Sequence, residues 1–413
     1  MYKLLPLLLF FVFVGHGQQM EKRVLETLCS EELGGRGYVD RGDSLAAEFL
    51  AREFESLGLQ PVGKSFFQSF PFDINTFPGA LSVSINGKPL QPGVEFLIDP
   101  ASGSAKVSCQ SKRFTIQELL SGELKAHLVD IREKRLIPVL DPSGVTDRDT
   151  LAMLKQTAIA LADIAPVVLL SDHLSWYLAQ NQLRNPVIEI NTTSYEEGKI
   201  EFEIEAHFKK HIARNVIAQI PSKGKAKRTL VFTAHYDHLG KMGQETYFPG
   251  ANDNASGTTM LLSIASQLIQ NKQESTRYLF IAFAGEEVAL LGSKYFVEHP
   301  LIKLNTIDFL INLDILGGAQ ENITVVNGKE FPDQFSLLQE ANTSGKYIPA
   351  VKARSSSANS DHHWFYINNV PCFFIYSSGD NKHYHVPEDK ADHIDMNSFM
   401  SVRQLLLDFV SRF

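Results

Sequence analysis

Leu230-Val-Phe-Thr-Ala-His235-Tyr-Asp237 is an apolar run that stops abruptly at a histidine and a carboxylate. The same layout recurs downstream. Tyr278-Leu-Phe-Ile-Ala-Phe-Ala284 runs through Gly285 into Glu286-Glu287, and Phe309-Leu-Ile-Asn-Leu313 ends at Asp314. A fourth apolar run, Cys372 to Tyr376, precedes a polar loop that contains His385. Unbroken apolar runs of this length read as strands buried on both faces. Between the first two lies a helical stripe of Met260, Leu261, Ile264, Leu268 and Ile269. Strand, loop and helix in repetition predict a mixed, mostly parallel sheet with helices on both sides, a three-layer α/β/α fold.

In open α/β sheets ligands bind at the carboxyl ends of the strands. Asp253 sits in Gly250-Ala-Asn-Asp-Asn-Ala-Ser-Gly257, the loop before the Met260 helix, so two histidines and three carboxylates converge on one rim. Imidazole nitrogen and carboxylate oxygen suit zinc, and no cysteine joins them to close a structural site. Five ligands exceed the three that one catalytic zinc takes, but they suit two metals sharing one bridging carboxylate. A water held between two such ions needs a further carboxylate to receive its proton. The adjacent pair Glu286 and Glu287 offers one residue for the metal and one for the proton. Each feature alone is commonplace: a lone His-x-Asp, a glutamate pair at a solvated turn, a late surface histidine. Their conjunction at successive strand ends carries the reading.

Working outward, residues 20–60 show two helical faces, Leu25, Leu28 and Cys29, then Leu45, Ala46, Phe49, Leu50 and Phe54. From Pro78 to Phe208 the texture changes to short β-rich runs between turns, including Leu81 to Ile85, Ala126 to Ile131, Ala165 to Leu170 and Val187 to Ile190. This predicts a smaller β-rich domain, 78–208, inserted into a larger one formed by 19–77 and 209–413. Ahead of both, Lys3 precedes the apolar run Leu4 to Val14 and the small residues Gly15 and Gly17, the layout of a secretory signal over 1–18. That run is short for a membrane span, and the expected location is secreted or periplasmic.

Of the 413 residues, 39 are basic and 47 acidic, a net charge of −8, without the basic excess of a nucleic-acid binder. The one basic cluster, Lys223 to Arg228, falls between strands and reads as a solvated turn. Three cysteines, Cys29, Cys109 and Cys372, allow one pair at most and no CxxC metal pattern.

Together, His235-Tyr-Asp237, Gly250 to Gly257, Phe283-Ala-Gly-Glu-Glu-Val-Ala-Leu-Leu-Gly-Ser293, Asn312-Leu-Asp314, Ser360-Asp-His362 and His385-Val-Pro-Glu-Asp389 resemble the M28 family of zinc aminopeptidases. Gly35-Arg36 and Phe54 to Leu59 extend the likeness to the amino-terminal stretch. Ala165 to Leu170 and Asn185 to Ile190 resemble, more weakly, a protease-associated domain. The resemblance implies two Zn2+ ions, with Co2+ or Mn2+ able to occupy such ligands. It implies Asp253 as the bridging ligand, His235 and Asp314 completing one ion's set, and Glu287 and His385 the other's. Glu286 would be the general base. Asp237 would stand behind His235, accepting its other imidazole proton. The Asp253-Asn254 peptide bond would be cis. Family members place a tyrosine shortly before the Ser-Asp-His block; residues 350–359 hold none, which leaves the oxyanion donor unassigned. Asp361 is a weak candidate to face the substrate amine. The implied activity is hydrolysis of the amino-terminal peptide bond of peptides through a metal-bridging water. A glutaminyl cyclase-like single-zinc enzyme, a carboxypeptidase-like member and a non-catalytic receptor-like ectodomain compete with it.

Overall fold

The computed structural model describes residues 18–133, 135–192, 194–380 and 382–413. Residues 1–17 of the expected signal, Leu4 to Val14 included, lie outside them. A nine-stranded sheet dominates, and its centre is four parallel strands. Arg228–His235 lies between Thr276–Phe283 and Phe309–Leu313, and Cys372–Ser378 follows on the far side of Phe309–Leu313. The expected four strands are therefore neighbours, and their carboxyl ends form one rim. Antiparallel strands flank the four: His207–Ile220 beside Thr276–Phe283, and Asn322–Val326 beside Cys372–Ser378.

Strand alternation accounts for the layers. Leu230 and Phe232, Tyr278 and Phe280, and Phe309 and Ile311 point into one core, beneath the helices Gly42–Ser56, Gly257–Gln270 and Met396–Ser411. Val231, Leu279, Ile281 and Leu310 point into the other, under Phe296 of helix Leu291–Glu298 and Phe365 of helix His362–Ile367. Because both faces are covered, these strands lack the polar alternation of a half-exposed sheet.

A separate eight-stranded sheet is built from strands between Leu81 and Ile204. Its core joins Phe96, Ile188 and Phe202 to Leu239, Met242 and Phe248, residues from the loop between Asp237 and Asp253. The small sheet therefore packs directly against the chain that carries the candidate site.

Two local expectations change. Ala126 to Ile131 is helical, spanning the end of Glu123–His127 and the start of Leu128–Arg132. Leu124, Leu128 and Ile131 recur at helical spacing, and Val129 is largely exposed, so the run has one apolar edge and not two strand faces. Residues 78–208, expected to be β-rich, also contain the helix Arg148–Leu161. All three cysteines are free. Among the described residues no helix is long and apolar enough to cross a membrane.

Candidate metal centre

The strand ends bring the chemistry together. Asp253 stands at the middle: its Oδ1 lies 3.2 Å from Nε2 of His235 and its Oδ2 lies 3.2 Å from Nε2 of His385. On one side, Asp314 Oδ1 is 3.3 Å from His235 Nε2, and Glu286 Oε2 is 3.9 Å from the same nitrogen. On the other, Glu287 Oε2 is 3.2 Å from His385 Nε2. Ligand-type atoms form two groups with Asp253 shared, His235–Asp253–Asp314 and His238–Asp253–Glu287. His385 stands beside the second. His238, which directly follows Asp237, is buried there with Nδ1 2.6 Å from Glu287 Oε1. Its only sequence signal was its place directly after Asp237 in the same run.

Asp314 and the loop that carries Asp253 are held in place. The Asp314 Oδ2 atom accepts from Ser360 Oγ at 2.7 Å, Ser360 Oγ accepts from Asn312 Nδ2, and Thr233 Oγ1 donates to Asn312 Oδ1. Asp389 accepts main-chain N–H bonds from Asn252 and Asp253, which fixes the loop that presents Asp253. Burial pushes the Asp389 carboxyl up to about 7, against those two bonds. Gly250 opens that loop in the left-handed region, φ 56°, and a Cβ there would meet the His238 ring and the Asp253 carbonyl at 2.3 Å. The Asp253-Asn254 peptide bond is cis.

Arg36 ties the surroundings together. It is fully buried, and its guanidinium donates to the carbonyls of Leu28, Tyr236, Pro249 and Gly250 at 2.6–2.7 Å. Three of these flank the segment that joins His235 to Asp253. The Asp237 carboxylate accepts from Tyr38 Oη at 2.7 Å and from the Glu286 N–H at 3.3 Å. His235 Nδ1 lies 3.1 Å from the main-chain oxygen of Asp237 and 3.8 Å from its carboxylate, so the carbonyl is the nearer acceptor.

The donor set fits metal cations. With Nδ1–H directed to the carbonyl of Asp237 or of Trp176, each imidazole turns the lone pair of Nε2 toward carboxylate oxygens. His385 Nε2 lies 3.2 Å from two of them without hydrogen-bond alignment, and His238 Nε2 is buried with no partner among the described residues. Lone pairs facing carboxylates at that distance require positive charge between them. Without metal, protons fill that need: burial disfavours a charged His385, but Glu287 and Asp253 override it and raise its pKa to about 11.

The adjacent glutamates are driven apart. Burial, with Asp314, Asp361 and Glu287, holds the Glu286 carboxyl well above the usual range despite His235. Burial acts on Glu287 the same way, but His385 and His238 bring it down to about 2. Asp361 is fully buried, its oxygens without an aligned hydrogen-bond partner among the described residues, and burial raises it to about 7. Two phenols complete the rim. The ring of Tyr384 stacks on that of His385, centroids 3.9 Å apart, and Tyr177 meets the same imidazole edge-on at 4.8 Å.

Residues 215–410 match the model of peptidase family M28. Aminopeptidase YwaD of Bacillus subtilis is 24% identical over 337 residues, 76% of this chain and 70% of its own length. A probable leucine aminopeptidase of Arthroderma otae is 29% identical over 48% of this chain and 56% of its own. The structure of a zinc aminopeptidase from Bacillus subtilis superposes with a TM-score of 0.69 at 19% identity, covering 96% of this chain and 94% of that one. That likeness shows the shared mixed α/β fold.

Proposed function

We infer that this chain is an aminopeptidase of peptidase family M28 that hydrolyses the amino-terminal peptide bond of peptides at a centre for two zinc ions. The observation that carries the reading is Asp253, whose two carboxylate oxygens each face a different buried histidine. His235 and Asp314 would hold one ion, Glu287 and His385 the other, with Asp253 shared. His238 supports Glu287 from its second oxygen. Zinc bound there would lower the pKa of a water molecule and polarise the scissile carbonyl.

The protein's own groups handle the proton. Glu286 is the carboxylate that the surroundings make basic, and Glu287 is the one they keep charged, which divides the two roles. Glu286 takes a proton from the attacking water and delivers it to the leaving amine. Residues 350–359 leave the oxyanion without a tyrosine, and Tyr384, stacked on His385 and half exposed, supplies the phenolic donor. Asp361 lies too deep to meet the substrate amine directly and acts through its charge on Glu286.

Two further readings belong with this one. Residues 78–208 form an inserted, protease-associated-like domain, supported by their separate sheet and core. The run Leu4 to Val14 after Lys3 supports export.

The test is a panel of amino-acid amides and amino-blocked peptides, assayed with and without chelator. Turnover of the free-amine substrates alone, abolished by chelator and restored by zinc, is expected. Equal turnover of blocked peptides would overturn the aminopeptidase reading.

A further inference from the structure

The imidazole of His385 does not depend on its own loop alone. Its Nδ1 donates to the main-chain oxygen of Trp176 at 2.7 Å, and the Trp176 N–H donates back to the His385 carbonyl at 3.1 Å. His385 itself sits at φ 58°, a left-handed conformation that a side-chain-bearing residue adopts only when its surroundings hold it there. Trp176 belongs to residues 174–183, a strap without regular structure that leaves the small sheet and crosses the rim of the candidate site.

The strap is fixed along its length. The Trp176 indole donates to the Ile98 carbonyl and stacks on Phe248 at 4.8 Å. The Ala179 carbonyl accepts from the Asn75 N–H, and Gln182 Nε2 donates to Asn75 Oδ1. Gln180 Nε2 reaches the Val288 carbonyl, one residue beyond Glu287. The strap therefore joins both glutamates' turn and the His385 loop. Leu174 and Trp176 face inward, and Tyr177 faces out. The residue is 46% exposed, yet its ring lies edge-on to His385, opposite in kind to the face-on Tyr384, a residue equally exposed. Exposed aromatic rings beside a reaction centre offer apolar faces at low entropic cost and stay put only if their backbone does. Here the backbone is pinned to the imidazole itself.

We propose that the strap 174–183 forms one wall of the subsite for the substrate's first side chain, and that Tyr177 selects bulky apolar side chains there. This rests on the aminopeptidase reading above. A residue whose carbonyl lies over the centre has its side chain within reach of a ring that touches His385. Leucine or phenylalanine then covers the Tyr177 ring, and alanine leaves it wet.

The experiment compares leucine, phenylalanine and alanine amides with the zinc-loaded parent, Tyr177→Ala and Tyr177→Phe. The parent favours leucine and phenylalanine. Tyr177→Ala lowers the leucine-to-alanine ratio of kcat/KM about tenfold, mainly through KM, a change of the size expected for one apolar wall. Tyr177→Phe keeps the parental ratio, because the ring and not the hydroxyl makes the contact. A parent that discriminates, with a Tyr177→Ala variant that discriminates equally, overturns the subsite and leaves the aminopeptidase reading standing. A parent that turns over none of the amides removes that reading and the subsite with it.

Discussion

Replacing Arg36 tests how the site is braced. The guanidinium donates four bonds of 2.6–2.7 Å to carbonyls of three separate segments, in a place with no solvent access. Bonds from a charged donor contribute about 1.5–3 kcal/mol each, so simple addition gives roughly 6–12 kcal/mol for Arg36→Met. That sum is too large. The Gly250 carbonyl keeps a second donor, the Ala255 N–H, and removing the guanidinium also removes the cost of burying it. Disrupting a buried charged network typically costs about 3–5 kcal/mol, the expected loss here. At roughly 2–4 °C per kcal/mol, the melting temperature should fall by at least about 6 °C. Arg36→Lys keeps the charge but loses the planar fork, so it should fall by about half as much. The Tyr236, Pro249 and Gly250 carbonyls bracket the loop between His235 and Asp253, so zinc affinity of Arg36→Met should also drop about 10–100-fold. Melting followed by circular dichroism, with and without zinc, reads both effects. A variant within about 1 kcal/mol of the parent, with parental zinc affinity, would refute the bracing role.

Three further outcomes are expected. Glu286→Gln should retain its zinc and lose at least about 100-fold in kcat, and a normal rate would remove Glu286 as the base. Tyr384→Phe should lower kcat by about 100-fold or more with little change in fold, and unchanged kcat would leave the oxyanion donor elsewhere. In the metal-free protein His385 is raised to about 11 and His235 also lies above its usual value, so both hold protons near neutral pH. Zinc must expel them, and uptake should release roughly one to two protons and weaken as pH falls. Calorimetry in buffers of different ionisation enthalpy measures this, and an enthalpy independent of buffer would contradict it.

The central sheet was legible because parallel strands covered on both faces must be apolar throughout. Leu230 to Ala234 and Phe309 to Leu313 therefore stand out, and so do the polar residues that end them. Asp253 was legible from its place in the loop Gly250 to Gly257, directly before the Met260 helix. What stayed hidden depends on contacts far apart in sequence. Trp176 and Tyr177 reach His385 across 209 positions in the case of Trp176, and nothing local to either marks them. His238 and Tyr384 were hidden differently, as ordinary residue types beside more conspicuous ones. Ala126 to Ile131 was misread because its β-branched and apolar composition was weighed above its spacing.

The most direct test of the account is the zinc content of the purified, dialysed chain, measured by mass spectrometry against protein concentration. About two zinc ions per chain are expected, falling to one or fewer when Asp253 is replaced by Ala, because that carboxylate would serve both. A parent that holds a single ion, or an Asp253→Ala variant that holds two, would contradict it.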